Sequence, residues 1–326
     1  LSFSYLIDKI RAADFEQAPF RHVQINDFFS EADFRAITGA PELAIGDLGS
    51  DTELFDALFS NGYKIIDFPG CIVNKDEYIR WHQTKRTVQK TNTACEGFGI
   101  TLRLMGTRTP IVADLVAFLN GAEFQAALAE KFEIPQSDTF YDCGLQKYLD
   151  GYEISPHPDI RKKALTYMVN VNPGVKSEDR EHHTHYLNFR EAYKYIGTYW
   201  DGNPTKDRCW VPWDWCETKK MQRENNSIVV FSPSNDTIHG VKTQYDHLSG
   251  QRTQLYGNFW YHDVEIDSSP QWEDLAIGYK TDIAKTISLK ALTKAVLPKR
   301  ARELINGVRN SGANVIADRL SGPRDQ

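Results

Sequence analysis

No apolar run in this 326-residue chain approaches the roughly 18–20 residues that a bilayer-spanning helix needs. The opening stretch, LSFSYLIDKIRAADFEQ, has neither the basic start nor the uninterrupted apolar segment of a secretory leader. Cys71, Cys95, Cys143, Cys209 and Cys216 are odd in number, scattered and free of CxxC spacing. That pattern excludes a disulfide scaffold or a zinc ribbon, and it gives the expectation of a reducing, cytoplasmic setting. There is no internal repeat, low-complexity tract or linker rich in Gly, Ser or Pro, so a solenoid or a loosely tethered array is not expected. Positive charge is not in excess: 38 Lys and Arg stand against 44 Asp and Glu, a net charge of -6. A global basis for nucleic-acid binding is therefore lacking, and no nucleic-acid partner is expected.

What the chain does have is aromatic residues, with 7 Trp, 15 Tyr and 17 Phe, and many short strand-like runs, a combination common in sandwiches and barrels. Residues 1–138 mix helix and strand signals. Within APFRHVQINDFFSEADFRAI, HVQIND alternates and Ser30, followed by Glu31 and Asp33, has the form of a helix start. Residues 111–133 carry apolar residues at helical spacing and predict two helices broken near Asn120-Gly121. From 139 to 265 the runs DCGLQKYL, ALTYMVNVN, NSIVVFSP and TQLYGNFWYHDVEI predict strands separated by turn residues. The fold class expected is α+β with a mainly β core. Between the second and third of these strands, residues 175–224 are expected as a long insertion acting as a lid or binding element. Residues 266–326 predict a basic helical extension, with Ile283, Ile287, Ala291 and Ala295 recurring every four. An amphipathic helix packed on the domain is the plainer reading, and an acidic partner or a membrane surface is the alternative.

The chemistry concentrates in two places. In SPHPD, His157 lies between Pro156 and Pro158, with Asp159 two positions later. Proline fixes φ and biases its predecessor to extended backbone, so both side chains would project in set directions from one short piece of chain. An HxD alone occurs often by chance. The second place is SIVVFSPSNDTIHGVKTQYDHLSGQRTQLYGNFWY, where a strand leads to His239 and Gly240, and Arg252 follows thirteen residues after that histidine. Two histidines and a carboxylate on one face of Fe(II) leave three coordination positions open. A 2-oxoglutarate can fill two of these and O2 the third, while its far carboxylate needs a buried cation such as Arg.

The order GLQKYLDGYEISPHPD, KKALTYMVNVNP, IVVFSPSNDTIHGV, GQRTQLYGNFWY resembles the Fe(II)/2-oxoglutarate-dependent oxygenases, specifically their prolyl 4-hydroxylase-like branch. The likeness spans residues 18–265. It implies a double-stranded β-helix (jelly-roll, cupin-like) core and places the oxygenase domain at 1–265. It also implies His157, Asp159 and His239 as iron ligands and catalytic centre, and Arg252 as the group that binds the far carboxylate of 2-oxoglutarate. Tyr148 matches a tyrosine that contacts the co-substrate, and Asn170 stands where relatives place a second polar group near it. Asp159 stands where related halogenases have a small residue, so hydroxylation is expected over halogenation. The cofactors implied are Fe(II), 2-oxoglutarate and O2. The substrate stays open among a small metabolite, a sugar-containing molecule and a prolyl residue of a peptide. A non-catalytic jelly-roll binding module, for carbohydrate for example, is the alternative of another class.

Other conspicuous residues have plainer readings. His182, His183 and His185 lack a carboxylate at strand-end spacing and are expected as loop histidines. His22, His82, His247 and His262 show no second ligand at convincing spacing; His247 competes with His239, which is preferred for the strand before it and the Arg after it. Trp210, Trp213 and Trp215 suit either a packed corner or a platform for a substrate ring, and Cys209 and Cys216 read as buried thiols.

Overall fold

The computed structural model describes residues 3–84, 94–174 and 176–267. The chain divides into two units, Leu1–Trp272 and Glu273–Gln326. The second unit, and with it the basic helix expected in the tail, lies outside the described residues.

Along the chain come α1 (Tyr5–Ala12), β1 (Val23–Ile25), α2 (Glu31–Thr38), α3 (Asp51–Ser60), β2 (Tyr63–Ile65), α4 (Lys75–Thr84), β3 (Thr101–Leu104), α5 (Pro110–Leu119) and α6 (Ala122–Lys131). Then follow β4 (Thr139–Tyr148), β5 (Glu153–His157), β6 (Lys163–Asn170), β7 (Thr184–Phe189), α7 (Tyr195–Gly202), β8 (Cys216–Gln222), β9 (Ile228–Phe231), β10 (His239–Lys242) and β11 (Arg252–Tyr261). Ser30 caps α2, its hydroxyl accepting from the Asp33 N–H at 3.1 Å and so satisfying one of the free donors of the first turn. α5 opens with Pro110, whose missing N–H is harmless there. The helical pattern breaks at Asn120-Gly121, as the spacing predicts.

Two antiparallel sheets carry the architecture. One has seven strands in the order β1-β9-β6-β11-β4-β3-β2, the other four in the order β5-β10-β7-β8. In the large sheet, strand alternation assigns opposite duties to its two faces. Leu145 of β4, Leu165, Tyr167 and Val169 of β6, Val230 of β9 and Leu255 of β11 join one buried cluster with Leu6, Leu54, Phe55, Leu115, Phe124 and Leu128 of the helices. Fully burying each such side chain is worth about 1.5–3 kcal/mol, so this face holds the helices to the sheet. The alternate residues, Gln146 and Tyr148, Thr166 and Met168, Gln254 and Tyr256, line a cavity on the other face.

Residues 175–224 are not a lid inserted between strands. They supply β7 and β8, half of the four-stranded sheet, and β7 pairs directly with β10, setting Tyr186 opposite His239. The signal was weak for a physical reason. β8, CETKKMQ, is an edge strand whose middle faces solvent, so it needs little apolar alternation. In β7 the alternation is carried by Thr184 and Tyr186 and masked by neighbouring histidines. The non-strand part between them is α7 and its flanking turns.

Candidate metal centre

β5 is the other edge strand of the small sheet, the position where Pro156 leaves no ladder hydrogen bond unmade. Its last residue is His157, and His239, the first residue of β10, is its cross-strand partner. Asp159 follows with φ 62°, a left-handed conformation that Asp tolerates better than most residues. The turn brings its carboxylate back to the two rings. Gly240 packs closely as well: a Cβ there would lie 3.1 Å from the Ile154 carbonyl oxygen, the Pro156 nitrogen and the Trp213 ring, which would have to give by a few tenths of an ångström. Strand pairing and two backbone specialities thus set three side chains on one point, with donor atoms all within 4.8 Å of one another.

The hydrogen bonds behind the rings define what faces that point. His157 Nδ1 lies 2.9 Å from the Ser155 carbonyl oxygen, and His239 Nδ1 lies 2.9 Å from that of Thr237. A carbonyl oxygen only accepts, so each ring donates from Nδ1 and, in its neutral form, presents a bare lone pair on Nε2. Burial, and then the neighbouring His157, push His239 down to about 3. Both Nε2 atoms point at the Asp159 carboxylate, at 3.4 and 3.8 Å. Burial pushes the Asp159 pKa upward, but Lys163, with Nζ 2.7 Å from Oδ1, holds it well below the usual carboxylate range. Thr166 Oγ1 donates to Oδ2 at 2.8 Å. The two Nε2 atoms and the carboxylate converge on one point, where a single cation would be shared by all three. The donor set, two imidazoles and a carboxylate, fits a divalent transition metal with positions left open.

A second cluster looks similar and has the opposite chemistry. Asp51, His82 and His247, distant in sequence, come together, which sequence spacing did not reveal. Here the Asp150 N–H donates to His247 Nδ1 at 3.0 Å, so the proton of the ring sits on Nε2 and is donated to Asp51 Oδ1 at 2.7 Å. His82 Nδ1 reaches Asp51 Oδ2 at 2.7 Å. Protons already join these groups, and the cluster is a buried hydrogen-bond network tying α3 and α4 to the turn after β4.

The triad opens into a cavity of about 270 Å³ between the two sheets. Arg252, at the head of β11, lies in its wall, 3 % exposed. Its Nη2 donates to Thr184 Oγ1 at 2.9 Å, and its guanidinium lies 4.6 Å from the centre of the Tyr148 ring. Among the described residues no carboxylate lies within 4.0 Å of it, the neighbours being the hydroxyl-bearing rings of Tyr148, Tyr152, Tyr245 and Tyr186. Tyr148 is the cross-strand partner of Arg252. The Gln146 amide is satisfied when its oxygen accepts from Arg103 and its nitrogen donates to the Tyr148 hydroxyl at 2.5 Å. In that orientation the phenol keeps its own proton to donate into the cavity.

Asn170 is not at this site. Its Nδ2 donates to the backbone carbonyls of Gln222 and Glu224, and its Oδ1 accepts from Gln254. It pins the turn between β8 and β9, as an Asn at a strand end commonly does. The histidine-rich stretch also stays away from the triad: His183 faces the Glu178 carbonyl, His185 the Thr218 hydroxyl, and His182 packs on Tyr245. The tryptophans divide their duties. Trp213 Nε1 donates to Glu153 at 2.8 Å and Trp215 stacks on Tyr193, whereas Trp210 lines the cavity 6.0 Å from the His157 ring, its Nε1 buried without a hydrogen-bond partner. Thr184, Lys163 and Thr166 were missed in sequence. For Thr166, the period-two count along β6 from buried Leu165 would have found it.

No family model and no curated protein sequence matches the chain. Among solved structures it is similar to a Pseudomonas putida prolyl-4-hydroxylase, with 11% identity, 80% of this chain and 100% of that one covered, and a TM-score of 0.38. It is similar also to a Burkholderia pseudomallei oxidoreductase of the 2OG-Fe(II) oxygenase family, with 12% identity, coverage of 68% and 97%, and a TM-score of 0.30. EvdO2 from Micromonospora carbonacea, in complex with 2-oxoglutarate, gives 11% identity, coverage of 65% and 91%, and a TM-score of 0.31. At such distances the chemistry rests on the geometry of the site itself.

Proposed function

We propose that this chain is an Fe(II)- and 2-oxoglutarate-dependent oxygenase on a double-stranded β-helix, oxidising a substrate C–H bond, most simply by hydroxylation. The strand plan supports the fold. From β4 to β11 the chain visits large, small, large, small, small, large, small and large sheet, a palindromic alternation that winds eight strands into a two-sheet jelly roll. One observation carries the function: two imidazoles and a carboxylate converge on one point, and a buried guanidinium with no carboxylate partner among the described residues lines the same cavity. His157, Asp159 and His239 would hold the metal. Arg252, with Thr184 and the Tyr148 hydroxyl, would grip the far carboxylate of 2-oxoglutarate by charge-assisted hydrogen bonds. Bound iron would supply, with O2 and the 2-oxo acid, the two-electron oxidation that releases succinate and CO2.

The protein residues do the positioning. Lys163 and Thr166 fix the Asp159 carboxylate, the backbone carbonyls of Ser155 and Thr237 fix the two rings, and the tyrosines around Arg252 keep water from its guanidinium. Trp210 forms part of the cavity wall beside His157. A cavity of about 270 Å³ shared with 2-oxoglutarate suits a small molecule or a single side chain of a peptide.

Fe(II) and 2-oxoglutarate added to the purified protein without oxygen test this reading. The expected result is the weak visible charge-transfer band of a chelated keto acid, absent in His157→Ala and requiring far more 2-oxoglutarate in Arg252→Ala. A wild-type protein that binds neither component overturns the reading in favour of a binding module.

A further inference from the structure

A second hollow, an open groove of about 990 Å³, borders the metal loop from the other side, and Lys163 lines both. Arg161, Lys194 and Arg208 line it as well, with Asp201 and Asp236 as its acids. Arg208 is 5 % exposed, its Nε is buried without a hydrogen-bond partner, and among the described residues no carboxylate lies within 4.0 Å of its guanidinium. Asp159, Asp207 and Asp236 act on the Arg208 charge without touching it, and the groove acids are also hydrogen-bonded to other groups. Asp207 Oδ1 accepts the backbone N–H of Arg161 at 2.8 Å and that of Arg208 at 2.9 Å, Asp201 takes the Asn235 amide and Asp236 the Ser234 hydroxyl. The Arg161 guanidinium is held by the carbonyls of Lys206 and Trp200, both at 2.7 Å, so it braces the wall instead of pairing with an acid. A buried cation left this way is costly unless an anion completes it.

We propose that this groove is an anion-binding site, with Arg208 as its anchor, taking the phosphate or carboxylate group of a small molecule. The assignment rests on Arg208, since Lys163 is paired with Asp159 at 2.7 Å and Lys194 with Glu191 at 2.6 Å, and it holds whether or not the triad binds a metal. Inorganic phosphate and malonate serve as probes of the two anion classes, in metal-free protein, by calorimetry and thermal melting against chloride of equal ionic strength. Wild type is expected to bind at least one of them and to melt higher in its presence. Arg208→Met is expected to melt no lower than wild type without anion and to weaken binding at least tenfold. Lys194→Glu, which reverses the charge of an exposed groove side chain, is expected to weaken binding too, and it keeps the test open should Arg208→Met not fold. No binding by wild type beyond chloride, or unchanged affinity in the folded variants, overturns the proposal.

Discussion

The two histidine clusters make a sharp experiment because they are alike in composition and differ in where their protons are. His239→Leu and His247→Leu each remove a buried imidazole and keep an apolar side chain of similar bulk. Removing His247 leaves Asp51 Oδ1 and the Asp150 N–H without the partners they have at 2.7 and 3.0 Å. A buried group left unsatisfied costs about 1–3 kcal/mol, so the variant should lose on the order of 3 kcal/mol. At about 2–4 °C per kcal/mol for a domain of this size, its melting temperature should fall roughly 6–12 °C. Removing His239 frees only the Thr237 carbonyl of its donor and relieves a lone pair that faces a carboxylate. The metal-free stability of that variant should therefore change by no more than about 1 kcal/mol. Metal binding should divide the other way. Anaerobic titration with Fe(II), or with Co(II) followed by its visible absorption, should give one site in wild type and in His247→Leu and none of comparable affinity in His239→Leu. Two equivalents bound by wild type, or a His247 variant that loses the metal but keeps its melting temperature, would refute the tautomer reasoning.

Arg252→Met removes a buried charge that has no carboxylate partner among the described residues. Truncating one side of a buried charged pair costs about 2–5 kcal/mol, so 2-oxoglutarate affinity should drop at least about thirtyfold while the melting temperature without co-substrate stays the same or rises; binding within threefold of wild type counts against the assignment. His182 is pushed down to about 2, by burial first and then by Arg252. Its folded pKa lies below the unfolded value, so the unfolded chain binds more protons. Stability from this group is complete above about pH 6.5 and falls by about 1.4 kcal/mol per pH unit below it; His182→Phe should flatten the melting profile between pH 6.5 and 4.5. Lys147, wholly buried with its ammonium donating to the Leu43 carbonyl and the Thr253 hydroxyl, is pushed down to about 7 by burial. Here too the folded pKa is the lower one, so stability should rise with pH between 7 and about 10.4, and Lys147→Met should lose that rise in chemical denaturation measured across the window.

The residues that chain geometry fixes locally were the ones legible in sequence. His157 and Asp159 share one rigid turn, His239 follows the apolar strand β9 and Arg252 heads the long strand β11, so each could be located from its immediate neighbours. Tyr148 faces the cavity because β4 alternates, and the same count could be made from sequence. What escaped notice depends on contacts between distant segments. Thr184 completes the Arg252 site from a strand whose pattern is blurred by histidines, and β8 reads as a loop because an edge strand needs few apolar residues. Asp51, His82 and His247 meet only once α3, α4 and the connection before β11 are packed. Asn170 misled for the complementary reason: a polar residue at a strand end serves a turn as readily as a ligand, and only the partner carbonyls of Gln222 and Glu224 decide between them. Residue type and spacing therefore nominate a ligand set, and the direction of each proton decides it. The same two histidines and one carboxylate form a metal centre where the carbonyls behind the rings hold Nδ1–H, and a closed network where a backbone N–H claims that nitrogen first.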